Sequence, residues 1–71
     1  MWRRKRLSDF PVVVEVAGID GPRPIEETDG GYRFHPEIMD PDTLYVFPFG
    51  DGQKRGVVKT SKGRIAVYDV V

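Results

Sequence analysis

The sequence predicts an all-β domain, and three kinds of observation carry that expectation. Short runs alternate β-branched or aromatic residues with polar ones, eight glycines and six prolines punctuate the chain, and only one segment offers a helical turn. At 71 residues the chain amounts to a single domain, which at this size buries only about 60% of the surface its unfolded form exposes. There is no cysteine, so neither a disulfide nor a thiolate zinc site supplements the core, and stability rests on packing and turns.

The opening MWRRKRLSDF holds no strand pattern. It has the charge of a signal peptide's first segment, but no apolar stretch of about 7–15 residues follows, so it is expected to stay on the mature chain. Residues 1–8 are read as a basic arm, with Trp2 and Leu7 as its docking points, and residues 9–71 as the β domain. In FPVVVEVA, Val12, Val14 and Val16 alternate with Val13, Glu15 and Ala17, the period of a half-buried strand. GIDGPRP is a loop punctuated by Gly18, Gly21, Pro22 and Pro24.

The next run, PIEETDGGYRFHP, places Asp29 and Gly30 between two segments that can pair, and Asp-Gly suits the positive φ angles of a type I′ hairpin turn. In its return strand Tyr32 and Phe34 share one face, Arg33 and His35 the other. Pro36 suits the first position of a helical turn, with Ile38 and Met39 expected to tuck inward and Pro41 to end it. TLYVFPF is a strand with Tyr45, Phe47 and Phe49 on one face and Leu44, Val46 and Pro48 on the other; either is a candidate core face, and Pro48 places an edge or an end there. Last come RGVVKT and RIAVYDVV, joined by SKG, where Gly63 suits the left-handed position of a three-residue loop.

These runs amount to about five to six short strands, the pattern of a small SH3-like or OB-like barrel or a rolled antiparallel sheet. The stretch YVFPF resembles the aromatic strands of cold-shock and other oligonucleotide-binding barrels. That likeness covers five residues and lacks the glycine–aromatic companion motif of those domains, so it assigns no residue a role.

A net charge of zero hides strong segregation. Arg3, Arg4, Lys5 and Arg6 crowd the first eight residues; residues 9–53 hold ten acids against Arg23 and Arg33; and Lys54, Arg55, Lys59, Lys62 and Arg64 face only Asp69 in the remainder. Blocks of this kind steer charged partners when the fold gathers them on one face. With Ile65 and Val67 taken as core, the reading of the last hairpin puts Val58 and Thr60 inward and Lys59, Arg64 and Tyr68 outward. Cations around an aromatic ring compose a surface that holds phosphates and stacks a base. Charged residues at strand edges also serve simply to prevent pairing with other chains.

Catalysis finds little support. His35 is the only histidine, Ser8 and Ser61 lie in the arm and a turn, and no nucleophile–base spacing is recognisable. His35, Glu37, Asp40 and Asp42 lack the glycine and ligand spacing of a calcium loop and match no zinc signature. The DGG and GDG stretches precede no helix that would complete a phosphate loop. No cofactor is expected, no run approaches the roughly 20 apolar residues of a membrane span, and a cytoplasmic location is expected.

The expectation is therefore a non-enzymatic binding module. Its first-ranked ligand is nucleic acid, contacted through Arg3, Arg4, Lys5, Arg6, Lys54, Arg55, Lys59, Lys62, Arg64 and Tyr68. The alternative is a protein partner within a larger assembly. Cations merged into one patch away from the acids favour nucleic acid, and cations interleaved with acids favour protein.

Overall fold

The computed structural model describes residues 3–49 and 52–70, Arg3 by its backbone only. Among the described residues there are seven strands: β1 (Arg3–Lys5), β2 (Val12–Glu15), β3 (Ile25–Thr28), β4 (Gly31–Phe34), β5 (Thr43–Pro48), β6 (Lys54–Lys59) and β7 (Ile65–Val70). Single turns of 3-10 helix occupy Leu7–Asp9, Val16–Gly18 and Pro36–Ile38. The all-β class thus holds, and among the described residues no helix is long and apolar enough to cross a membrane.

Five strands form one sheet in the order β1-β7-β6-β5-β2, and β3 and β4 form a separate hairpin. The sheet is open, since β1 and β2 are its two ends. It is also mixed rather than antiparallel: β1 runs parallel to β7 and β2 parallel to β5, which leaves β6 alone reversed. Arg3–Lys5 therefore belongs to the sheet, contrary to the reading of an arm without strand character. The physical reason is that a strand pairs through its backbone, so a charged run can occupy an edge without any apolar alternation to announce it. Leu7 is exposed, and the expected docking of Trp2 falls outside the described residues.

Residues opposite one another in a ladder share a face. The front face accordingly carries Val14, Tyr45, Phe47, Val57 and Val67. Against it pack Val16, Ile25 and Met39 together with Tyr32 and Phe34 of the hairpin. Aromatic edges and faces close this layer: Tyr32 lies 5.5 Å from Phe47 and 4.7 Å from Phe49, ring centre to ring centre. Tyr45 keeps its hydroxyl satisfied by accepting a 2.7 Å hydrogen bond from the Asp40 N–H.

The back face carries Leu44, Val46, Gly56, Tyr68 and Val70. Both candidate faces of β5 are therefore core, because Leu44 and Val46 are as completely buried as Tyr45 and Phe47. The cover comes from the connection between β1 and β2. Residues 6–11 must pass from one end of the sheet to the other, and Phe10 within them sets its ring 6.4 Å from that of Tyr68. On a flat sheet the path would be about 19 Å across and about 17 Å along the strands. That diagonal exceeds the reach of so few residues at about 3.3–3.6 Å each, so the sheet curls toward its back face.

The turns confirm some details and correct others. The β3–β4 hairpin has the expected two-residue connection, with Thr28 opposite Gly31. The positive φ, however, falls on Gly31 at 138° and not on Gly30, so the turn is not type I′ and the conformational demand sits one residue later. Gly63 has φ 79° as expected. The expected helical turn begins at Pro36, but only Met39 is buried after it, while Ile38 is exposed; the turns at Leu7–Asp9 and Val16–Gly18 lie where no helical turn was expected. β5 ends at Pro48, where a missing N–H costs the ladder least.

In the last hairpin the expected register is corrected. Lys59 pairs with Ile65 and Val57 with Val67, so Val57 and Lys59 lie on the front face and Val58 behind it, with Tyr68. The loop dictates this. Thr60 N–H donates to the Arg64 carbonyl at 2.7 Å, which sets Thr60 opposite Arg64, and each directly opposed pair must then share a side.

Two substitutions at turns separate geometry from space. Neither Gly30 nor Gly31 has an atom within 4 Å of where a Cβ would stand, so only backbone conformation distinguishes them. Gly31→Ala is expected to lower stability by about 1 kcal/mol relative to Gly30→Ala in denaturant melts. At Gly56 the limit is space: an added Cβ would stand 2.9 Å from Leu44 Cγ and closer still to its Cδ1. Gly56→Ala should cost about 1–3 kcal/mol in the same measurement, and equal stability to wild type would show that the back face is loosely packed.

Candidate binding surface

The chain's cations do not gather into one patch. β1 lies beside residues 68–70 of β7, whereas the hairpin loop that carries Lys62 lies beyond Ile65, about 17 Å away along the same strand. Arg3, Arg4, Lys5, Arg6, Lys54 and Arg55 therefore belong to one end of the sheet, and Lys59, Lys62 and Arg64 to the other.

At the β1 end, acids are threaded through the cations. Arg55, half-buried on the front face, donates from Nε to Asp69 Oδ1 at 3.1 Å, and its guanidinium lies 4.4 Å from the centre of the Phe49 ring. It is opposite Asp69 in the ladder, so the contact follows from register. Lys54 Nζ approaches Glu15 Oε1 at 3.7 Å between two exposed side chains, a contact of little energetic weight. Arg6 donates its backbone N–H to Asp9 Oδ2 at 3.0 Å, and the Asp9 N–H returns to the Arg6 carbonyl at 3.0 Å. Arg4 is opposite Asp69 across β1 and β7.

Lys5 shares the back face with Tyr68, and its Nζ stands 5.7 Å from the ring centre. Tyr68 thus touches a cation on one side and Phe10 on another. It does not share a face with Lys59, and the expected grouping of Lys59, Arg64 and Tyr68 on one outer surface fails for the register reason given above. Lys62 and Arg64 are exposed at the hairpin tip.

A concavity of about 320 Å³ opens beside β1, lined by Arg4, Lys5, Arg6 and Asp9. It is the feature that sequence reasoning missed, although the run of four cations marked the place. A second hollow of about 180 Å³ follows the seam between hairpin and sheet, where Ile25, Tyr32 and Phe47 meet Arg23 and Glu27.

His35 sits among carboxylates, with Nε2 3.2 Å from Glu26 Oε1 and Nδ1 3.3 Å from Glu37 Oε1. Nε2 is closed off from solvent, and its approach to Glu26 lacks hydrogen-bond geometry. No group of three or more histidine and acidic side chains among the described residues is arranged to hold a metal ion. Ser8, Ser61 and His35 stand on the first 3-10 turn, the last hairpin loop and the end of the β3–β4 hairpin respectively.

No protein-family model, curated protein or solved structure matches the chain.

The Arg55–Asp69 pair is half-buried and made of a charged donor and a charged acceptor, so breaking it has a structural cost. Arg55→Ala should destabilise the domain by about 1–2 kcal/mol. Lys62→Ala, at the exposed tip, should leave the melting curve unchanged. Equal effects of the two variants would mean that Arg55 is not held by the fold.

Proposed function

We infer that the protein is a non-enzymatic β domain, of the small SH3-like or OB-like kind, that docks onto another protein. The observation that carries this reading is the interleaving of charge: Arg55 is engaged by Asp69, Lys54 approaches Glu15, and Arg6 is tied through its backbone to Asp9. Cations and acids held at fixed positions select a partner whose charged groups stand at matching positions, which the uniform spacing of a flexible polyphosphate backbone does not supply.

Nucleic-acid binding is the second reading, favoured by one observation. Lys5 beside the Tyr68 ring, next to the concavity of Arg4, Lys5 and Arg6, offers a cation and an aromatic face to a single-stranded segment. Only a few cations reach such a strand from this end, since Lys59, Lys62 and Arg64 lie beyond it.

Salt dependence separates the two. Each neutralised phosphate adds about −0.9 to the slope of log affinity against log salt on duplex DNA, and about −0.7 on a single strand. The docking reading predicts no saturable binding of duplex DNA, single-stranded DNA or RNA at about 50 mM salt. Saturable binding with a slope reflecting roughly four to six contacts would overturn it in favour of nucleic acid.

A further inference from the structure

We propose that the outer edge of β1, with the concavity beside it, takes an acidic extended segment of a partner protein as an added strand. The proposal rests on the docking reading and names its site and the partner's chemistry.

The backbone supplies the first half of the site. β1 is the last strand of its sheet, paired on one side with β7 and on the other with no strand among the described residues. Alternate backbone N–H and C=O groups of such a strand point outward, and an incoming extended peptide satisfies both kinds. A phosphate offers only acceptors, so it cannot complete the carbonyl half of that ladder.

Charge supplies the second half. The edge reads Arg3, Arg4, Lys5 and continues into Arg6. Three of these cations line a hollow of about 320 Å³ whose one acid among the described residues is Asp9. Asp9 is already accepting the Arg6 N–H at 3.0 Å, and the nearby carboxylate of Asp69 is held by Arg55 at 3.1 Å. The positive charge of the edge thus exceeds what its own acids offset. Cations along an edge repel another basic strand, which protects the sheet from joining to the β1 of a second copy. The same charges select in favour of a strand bearing Glu or Asp, whose carboxylates reach the guanidinium groups as the backbone zips onto β1.

The test uses the isotope-labelled full chain and three synthetic peptides: an alternating Glu-Val repeat, the matching Lys-Val repeat, and a Glu-Val-Pro repeat with the same number of glutamates as the first. The proline peptide keeps the charge and removes ladder donors. The proposal expects the Glu-Val peptide to shift the amides of residues 3–6 and 9 saturably and to slow amide exchange along β1. The Lys-Val peptide should not bind, and the proline peptide should bind about tenfold more weakly. A double variant Arg4→Gln, Arg6→Gln should weaken Glu-Val binding by about tenfold or more. The peptide mapping on the unaltered chain keeps the test decisive if that variant does not fold.

Equal binding of the proline peptide would overturn strand addition. Shifts confined to the hairpin tip near Lys62 would overturn the site, and so would concentration-dependent self-association through residues 3–6 in the absence of peptide. No peptide binding together with silent nucleic-acid titrations overturns this site while the docking reading stands. Saturable nucleic-acid binding with the steep salt slope removes both.

Discussion

Everything in this fold hangs on β5 being buried from both sides. A chain of 71 residues has too little volume to bury two independent sheets, yet it must remove enough apolar surface from water to offset the entropy of ordering its backbone. Placing one strand in the middle, with Tyr45 and Phe47 on the face that meets the hairpin and Leu44 and Val46 buried on the opposite face, lets five consecutive buried positions serve two faces. Other features follow from that arrangement. Gly56 lacks a side chain because Leu44 fills the space where one would stand. The connection across the back is short, so the sheet curls. β2 and β6 are held in place by their pairing with β5 on either side, and β7 and β1 extend the sheet from β6.

Much of the fold was legible because glycine, proline and β-branching act locally. The strands through Val14, Tyr32, Val46 and Val67 announce themselves by alternation, those through Ile25 and Val57 by the turns that join them to a partner, and the turns at Gly63 and Pro36 by their backbone preferences. What was not legible is what depends on distant residues. The two buried faces of β5 are a property of its neighbours, and alternation along 44–49 is equally apolar on either side. β1 has no apolar pattern at all; it is a strand because the backbone of residues 68–70 lies beside it. Parallel pairing is invisible for the same reason. The Gly31 conformation was missed by one residue, since Asp-Gly-Gly offers two glycines and the sequence does not say which bears the positive φ.

The binding surface was less legible than the fold. The hairpin's register error shows how little separates two opposite surfaces: moving β6 by one residue exchanges Lys59 for Val58 on the side of Tyr68. The correction was available from the loop alone, since three residues between Thr60 and Arg64 leave those two opposed. Charge blocks along the chain were equally deceptive. Asp69 is the lone acid in a basic stretch, yet it neutralises Arg55, 14 residues away in sequence, because antiparallel pairing lays those two positions side by side. Glu15, from the acidic middle, arrives beside Lys54 through the position of β2 next to β5. Segregation in sequence became interleaving in space.

Incorporating the basic segment into the sheet also changes what it can do. A free arm with four cations binds any polyanion weakly and pays the entropy of ordering each long side chain when it does. Held as β1, the same residues present a fixed backbone edge, with Lys5 positioned by Tyr68 and the following turn fixed by the two Arg6–Asp9 hydrogen bonds. That ordering is paid on folding, and it trades reach for direction: cations on a fixed edge discriminate between anions by whether the rest of the ligand fits a strand. Preorganisation of this kind favours a peptide backbone over a flexible polyphosphate, which gains nothing from the ladder. The three charges that give the edge its selectivity also keep it from joining to its own kind, so protection against aggregation and choice of partner arise from the same side chains.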